Sequence, residues 1–398
     1  MLLLDIEKGN NMPVRWRILS LLFLVRTTMA FQFQAVGALS PAFQESFAVG
    51  IADIGVLIGL YFTPGLFLAA PGGALGRRFG DKQVVLAGLA LMVAGGVLMA
   101  ASQLWIGQLT GRLLAGLGGV LLNVLMAKMV ADWFAGKEIS FSMAVFVNSW
   151  PVGIAVALVV LPLVAEVGGL TSALTLVAVL TVVGFLALAM FYRAPVEGGD
   201  GKAVPDDRVR GVLLGAVLAA GAIWGLYNAA LAIVFSFGPE LFVTRGMGLA
   251  EAGSVTSIVL WLLAIVGCFA GFLIDWTGLR SLILVTGNLG FAAFVFVASW
   301  TDQVLLNVIA MGVFSGVAVG AMMSLPALVL SPGGRAVGMG IFFTVFYLCA
   351  TVGPMVAGWM AGLSGDIVTT FQFAVALLIA SVLVLPIYHR LAARVPER

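Results

Sequence analysis

Two arginines stand alone in long apolar runs. In LLFLVRTTMAFQFQ, residues 21–34, Arg26 has no other charged residue between Arg17 and Glu45. Arg112 is likewise the only charge between Lys82 and Lys128. A guanidinium is permanently charged and presents five donors in a planar fork, a shape suited to anions. Arg112, Gly116, Gly119 and Asn123 recur at i, i+4, i+7 and i+11, one stripe of a helix. Arg26, Ala30, Phe33 and Gly37 repeat that spacing, with Gln34 on the flank.

The charges have no obvious neutralising partner. Glu45, Asp53, Glu166, Glu240, Glu251, Asp302 and Asp366 all fall at or near the ends of apolar segments, and the one histidine, His389, is close to the C-terminus. An unpaired buried arginine is costly, so a negatively charged substrate is the natural counter-ion for Arg26. The same shortage disfavours proton coupling through a membrane-embedded carboxylate. Catalysis is not expected: no nucleophile–base pair, metal cluster or nucleotide loop is evident, and GLGG reads as helix packing. No cofactor is implied. Cys268 and Cys349 sit in apolar segments without metal-type spacing and read as small core residues.

The elements that must hold these residues are membrane helices. The chain is 62% hydrophobic and 10% charged, whereas soluble domains run near ~45–50% and ~25%. A bilayer core about 30 Å thick needs about 20 apolar residues per helix. On that rule twelve spans are expected, over 16–40, 51–76, 83–101, 104–131, 138–163, 170–193, 209–236, 250–274, 281–299, 303–330, 336–362 and 367–389. Arg26 then lies about 15 Å, and Arg112 about 12 Å, into its span, both near the midplane. A charge at that depth costs roughly 2.5–3.5 kcal/mol or more, and usually faces a cavity.

The first apolar stretch is too long for a cleavable leader and reads as a retained helix. The run APVEGGDGKAVPDDRVR, 194–210, rich in Gly, Pro and charge, divides the chain nearly in half. The expected organisation is a six-helix half over 1–193, a cytoplasmic linker over 194–208 and a second six-helix half over 209–398. With both termini inside, 17 of the 20 Lys and Arg fall on the cytoplasmic side, the others being Arg26, Arg112 and the external Arg245. The halves repeat at an offset of 198: Pro41 with Pro239, Asp53 with Glu251, Gly55 with Gly253, Gly80 with Gly278 and Lys137 with Arg335. Two six-helix halves with one shared site are the expectation for a transporter.

The loops GGALGRRFGDK, 72–82, and GFLIDWTGLR, 271–280, resemble the signature of the major facilitator superfamily, G-x-L-x-D-x-x-G-x-[RK]. The second fits through Gly271, Leu273, Asp275, Gly278 and Arg280. The first has Gly73, Leu75, Gly80 and Lys82, but Arg77 replaces the family aspartate. RLLAGLGG, 112–119, resembles the family's fourth-helix element. The resemblance implies an all-α integral membrane protein of twelve helices in two pseudo-symmetric halves, with spans 1 and 4 lining a central cavity. It implies that Gly73, Gly80, Asp275, Gly278 and Arg280 act as a latch steadying one conformation. It leaves two roles open for Arg112, a brace on backbone carbonyls or a substrate contact. The runs RTTMAFQFQAVGALSP, 26–41, and NSWPVGIA, 148–155, resemble the cyanate and nitrate/nitrite porter branches.

On the cavity faces so implied, Tyr61, Asn148, Trp224, Tyr227, Asn228, Trp261 and Tyr347 join Arg26, Gln34, Arg112 and Asn123 as candidate substrate contacts. Trp224 occupies the repeat position of Arg26, so charge is expected from one half, aromatic and amide groups from the other. Pro151 breaks the helix ladder after Asn148 and frees a carbonyl nearby. The expected function is a carrier, secondary active or facilitative, moving a small anion by alternating access in the plasma (inner) membrane. Its partners are the solute and the lipid bilayer, with no nucleic acid, and a monomer suffices. The alternatives are a multidrug or lipophilic-compound exporter and a carrier of neutral or zwitterionic metabolites.

Overall fold

A computed structural model describes residues 13–134, 138–195, 209–301, 303–331 and 334–395. Lys8, Lys137, Lys202, Arg208, Asp302, Arg398 and most of the expected linker lie outside the described residues. The chain forms α1 Val14–Ala38, α2 Ser40–Phe47, α3 Ile51–Leu60, α4 Gly65–Phe79, α5 Asp81–Ala101, α6 Trp105–Trp133 and α7 Ile139–Phe191. The second half is α8 Gly211–Thr244, α9 Leu249–Thr277, α10 Arg280–Ala298, α11 Val304–Val329, α12 Arg335–Ser364 and α13 Val368–Ala392. Helices are the form this composition must take, because each closes its own backbone hydrogen bonds where lipid offers none.

Among the described residues eleven apolar segments are long enough to cross a bilayer, and one of them, Phe141–Phe191, has 51 residues. At 1.5 Å per residue that is ~76 Å, more than twice the ~30 Å hydrocarbon core. It is two spans: Gly169 leaves the helix at φ 74°, ψ 179°, a conformation open to glycine. The twelve expected spans are therefore present.

Three boundaries differ from those expected. The second span is not continuous; it breaks over Tyr61–Pro64 into α3 and α4. Pro64 has no N–H for Leu60, and the Tyr347 ring lies so close to Gly65 that a Cβ there would come within 2.2 Å of it. The first span stops at Ala38 and continues as the short α2. The seventh runs past residue 236 to Thr244, straight through Pro239, and takes Glu240 into the helix.

The halves meet at backbone distance at one end. A Cβ on Gly55 would lie 2.5 Å from the Pro354 carbonyl, one on Gly59 2.2 Å from that of Thr351, and one on Gly253 2.2 Å from that of Leu158. Pro162 lacks the N–H that would bond Leu158 within α7, so this carbonyl is turned outward to α9. Towards the far end of α9, Gly271 has nothing within 4 Å of its Cβ position. Alanine is therefore expected to act with opposite signs along one helix. Gly253→Ala should destabilise by about 1–3 kcal/mol through overpacking. Gly271→Ala should be neutral or stabilising by up to about 1 kcal/mol, as helix propensity dictates. Cooperative thermal melts of the purified variants read both.

Candidate functional site

Arg26 is the middle residue of the 25 in α1 and is 8% exposed. Its Nη1 donates to the carbonyls of Phe146 at 3.1 Å and Val147 at 3.2 Å, and to Ser149 Oγ at 3.4 Å. Nη2 donates to Asn123 Oδ1 at 3.0 Å, and the guanidinium carbon stands 4.7 Å from the Phe146 ring centre. The Val147 carbonyl is free because its helical partner would be the N–H of residue 151, which is proline. Dipoles therefore hold the charge. Among the described residues the ion pairs join Arg15 to Glu138 and Lys128 to Asp81 and Asp132, none of them at Arg26. Its Nε is buried and bonds nothing.

Arg112 is fully buried, and each of its nitrogens is occupied. Nε donates to the Leu57 carbonyl at 3.0 Å, Nη1 to Gln32 at 3.0 Å and Nη2 to Phe33 at 2.6 Å. The break in the second span supplies the first acceptor, since the Tyr61 N–H turns to Gly59 and leaves Leu57. The guanidinium also lies by the rings of Phe33 and Tyr61, at 5.2 and 4.7 Å. Gly116 and Gly119 on the same stripe press on Tyr61, whose backbone and hydroxyl would meet any Cβ there. The geometry is that of a brace joining α6 to α1 and α3. The expected open face is packed: Phe33 is 1% exposed.

Asn123 links the halves. Its amide oxygen accepts from Arg26, and its nitrogen donates to Tyr347 Oη on α12 at 3.1 Å. Gln34 also crosses between halves, donating to the Phe235 carbonyl at 3.0 Å. Pro239 frees that acceptor as Pro151 frees Val147. Asn148 donates to Cys268 Sγ at 3.3 Å. Trp224 stacks with Tyr227, and Asn228 is turned back onto the Trp224 carbonyl. Trp261 is 38% exposed and is not brought to Arg26 by any described contact.

In the loops, Gly80 and Gly278 take φ 86° and 68°, the left-handed turns that glycine permits. In the first copy Asp81 pairs with Lys128, while Arg77 is exposed. In the second, Arg280 begins α10 with a buried, unpartnered Nε. Gly73 lies on α4 and Asp275 on α9. Sequence reasoning missed an aromatic cluster that spans both halves: Phe33 stacks on Trp150 at 5.3 Å, and Phe62 reaches Phe346 at 6.1 Å and Tyr347 at 6.2 Å. It also missed Phe146 and Ser149. Their signal was position, five and two residues before Pro151 in the turn whose ladder the proline opens.

The family model for the Major Facilitator Superfamily matches residues 22–249 and 212–398. The inner membrane transport protein YajR of Escherichia coli is 30% identical over 133 residues, 33% of this chain and 29% of that protein. A protein of Staphylococcus haemolyticus named Probable nitrate transporter NarT is 27% identical over 153 residues, 37% of this chain and 39% of its own. The chain thus spans about a third of the curated relatives it matches. A crystal structure of the nucleoside transporter NupG superposes with a TM-score of 0.75 at 14% identity, covering 95% of this chain and 99% of that one, a likeness of fold. By its family match, its twelve spans and its loop signatures, the chain belongs to the Major Facilitator Superfamily, a family of membrane transporters rather than enzymes.

Proposed function

We propose that the protein carries a small anion across the membrane by alternating access, with Arg26 as the charge that binds it. The observation that carries this reading is the state of Arg26: mid-span, buried, held by carbonyls and amide oxygen, with no carboxylate bonded to it and Nε unused. A neutral set of dipoles leaves the net charge in place, so an arriving anion gains the full attraction of a low-dielectric site. Asn123 and Tyr347 are adjacent donors that an anion can recruit, and Tyr347 belongs to the other half. The partial likeness to a protein named as a nitrate transporter supports an anionic cargo. Arg112 serves as the brace that fixes α1 against the second and fourth spans.

The proposed orientation puts both termini in the cytoplasm of a cell with this as its inner membrane, so the packed end carrying Gly55 and Gly253 faces outward. Each chain holds a whole site, and a monomer suffices. The aromatic cluster of Phe62, Trp150 and Phe346 favours a second reading, transport of lipophilic compounds.

A thermal-shift panel of nitrate, formate, amino acids, sugars and lipophilic cations separates the two. Nitrate or another small anion should raise the Tm of the native protein. Arg26→Gln should abolish that rise while still melting cooperatively, and Arg26→Lys should retain charge but weaken binding about tenfold or more through loss of the fork. Equal stabilisation of native and Gln proteins by lipophilic compounds alone would overturn the anion reading. Arg112→Leu should behave differently. It strands the carbonyl of Leu57, removes the second donor of Gln32 and Phe33, and should cost about 1–3 kcal/mol of stability, read as a fall in Tm with or without anion.

A further inference from the structure

At the packed end, Glu240 of α8 reaches across to the other half. Its Oε2 accepts from Ser40 Oγ, and its Oε1 accepts from Gln44 Nε2 at 2.8 Å. Gln44 also donates to Ser40 Oγ at 3.3 Å, closing a three-membered network at the start of α2. Ser40 is fully buried and Glu240 is half-buried. Every partner of the carboxylate is neutral. Among the described residues, the charged groups carried at this end by elements around α8 are Glu45 on α2, Asp53 on α3, Glu166 on α7, Glu251 on α9, Asp366 before α13, and Arg245 at the end of α8 itself. Arg245 is committed to the carbonyls of Thr301 and Ala298. Asp53 bonds the Gly50 N–H, Glu166 the Ala250 N–H and Asp366 the Val368 N–H. Glu45 and Glu251 are exposed. Glu240 is thus an acid among acids whose charge is steadied by a serine and a glutamine of the opposite half.

We infer that Glu240, Ser40 and Gln44 form a proton-operated latch: the ionised carboxylate holds the two halves together at this end, and protonation releases them. Hydrogen bonds to a carboxylate are about twice as strong as neutral ones, so the closed arrangement depends on the negative charge. In the releasing step a proton from external water forms an O–H bond to one Glu240 oxygen. That oxygen becomes a donor facing Ser40 or Gln44, the charge disappears, and both clamping bonds weaken. No other reactant is consumed, and the proton is returned to water when the carboxyl re-ionises. The proton is therefore a second ligand, bound beyond the end of α1 and linked to the opening of this same face to solvent. This holds whatever the cargo of the central site.

The test needs no substrate. Spin labels on Ser46→Cys of α2 and Thr244→Cys of α8, both exposed positions, with Cys268→Ser and Cys349→Ala, report the separation at this end by pulsed electron resonance in liposomes. Lowering the pH from near 8 to near 5, towards the range where carboxylates protonate, should raise the population of a longer distance by about threefold or more. Glu240→Gln, permanently neutral, should show the longer population at both pH values. Ser40→Ala, which keeps the carboxylate and removes one donor, should shift the same way at high pH and retain part of the response. An unchanged distance distribution in the labelled parent over this pH range overturns the latch. So does a Gln variant that matches the parent near pH 8.

Discussion

A backbone carbonyl that has lost its helical N–H must find another donor, and in lipid that donor has to be protein. Three such acceptors organise the interior of this molecule. Pro151 frees Val147, and Arg26 takes it. Pro239 frees Phe235, and Gln34 takes it across the two halves. The break at Tyr61–Pro64 frees Leu57, and Arg112 takes it. Each pairing satisfies a polar group that would otherwise be stranded and ties two helices at a fixed height. Among the described residues the interior is therefore assembled around interruptions in the helices and not around an ion pair.

These pairings also separate the two arginines, which the sequence predicts at one depth: Arg112 meets α1 at Gln32 and Phe33, about 10 Å of helical rise beyond Arg26, and the two differ in how they are held. Arg112 spends all three nitrogens on carbonyls from α1 and α3, with rings on two sides. Its charge is spread into a rigid polar cradle whose removal unpicks three segments. Arg26 spends two nitrogens and keeps a third, and its Nη2 partner, Asn123, is itself shared with Tyr347. The first arrangement is closed, whereas the second has capacity left and a direct line into the other half.

How much of this the sequence carried depends on the length scale of the signal. Twelve spans, two halves and the glycine turns at Gly80 and Gly278 follow from hydropathy and local chemistry, which act within a few residues. Pro151 was legible as the source of a free carbonyl, but its taker is 121 residues away in the chain, and no local rule pairs Val147 with Arg26. The break in the second span hid because Pro64 sits in an otherwise apolar run, and the ring that fits against Gly65 belongs to Tyr347. In the sequence Glu240 marks a span end, because Gly238, Pro239 and Glu240 lower the hydropathy there. The helix continues through them to Thr244 because Gln34 caps the carbonyl that Pro239 frees.

The same economy bears on how a charge in the membrane can serve transport. An arginine balanced by a fixed carboxylate would exchange one partner for another when an anion arrived, and the gain would be small. One balanced by dipoles is already oriented and desolvated, so the anion meets a preorganised fork and no counter-charge has to leave. In the proposed carrier the bonds that yield are those joining Asn123 to Arg26 and to Tyr347, and the second of them spans the halves. On the proposed reading, occupancy at Arg26 is thereby felt at the interface, through the contact that most directly joins the charged half to the aromatic one.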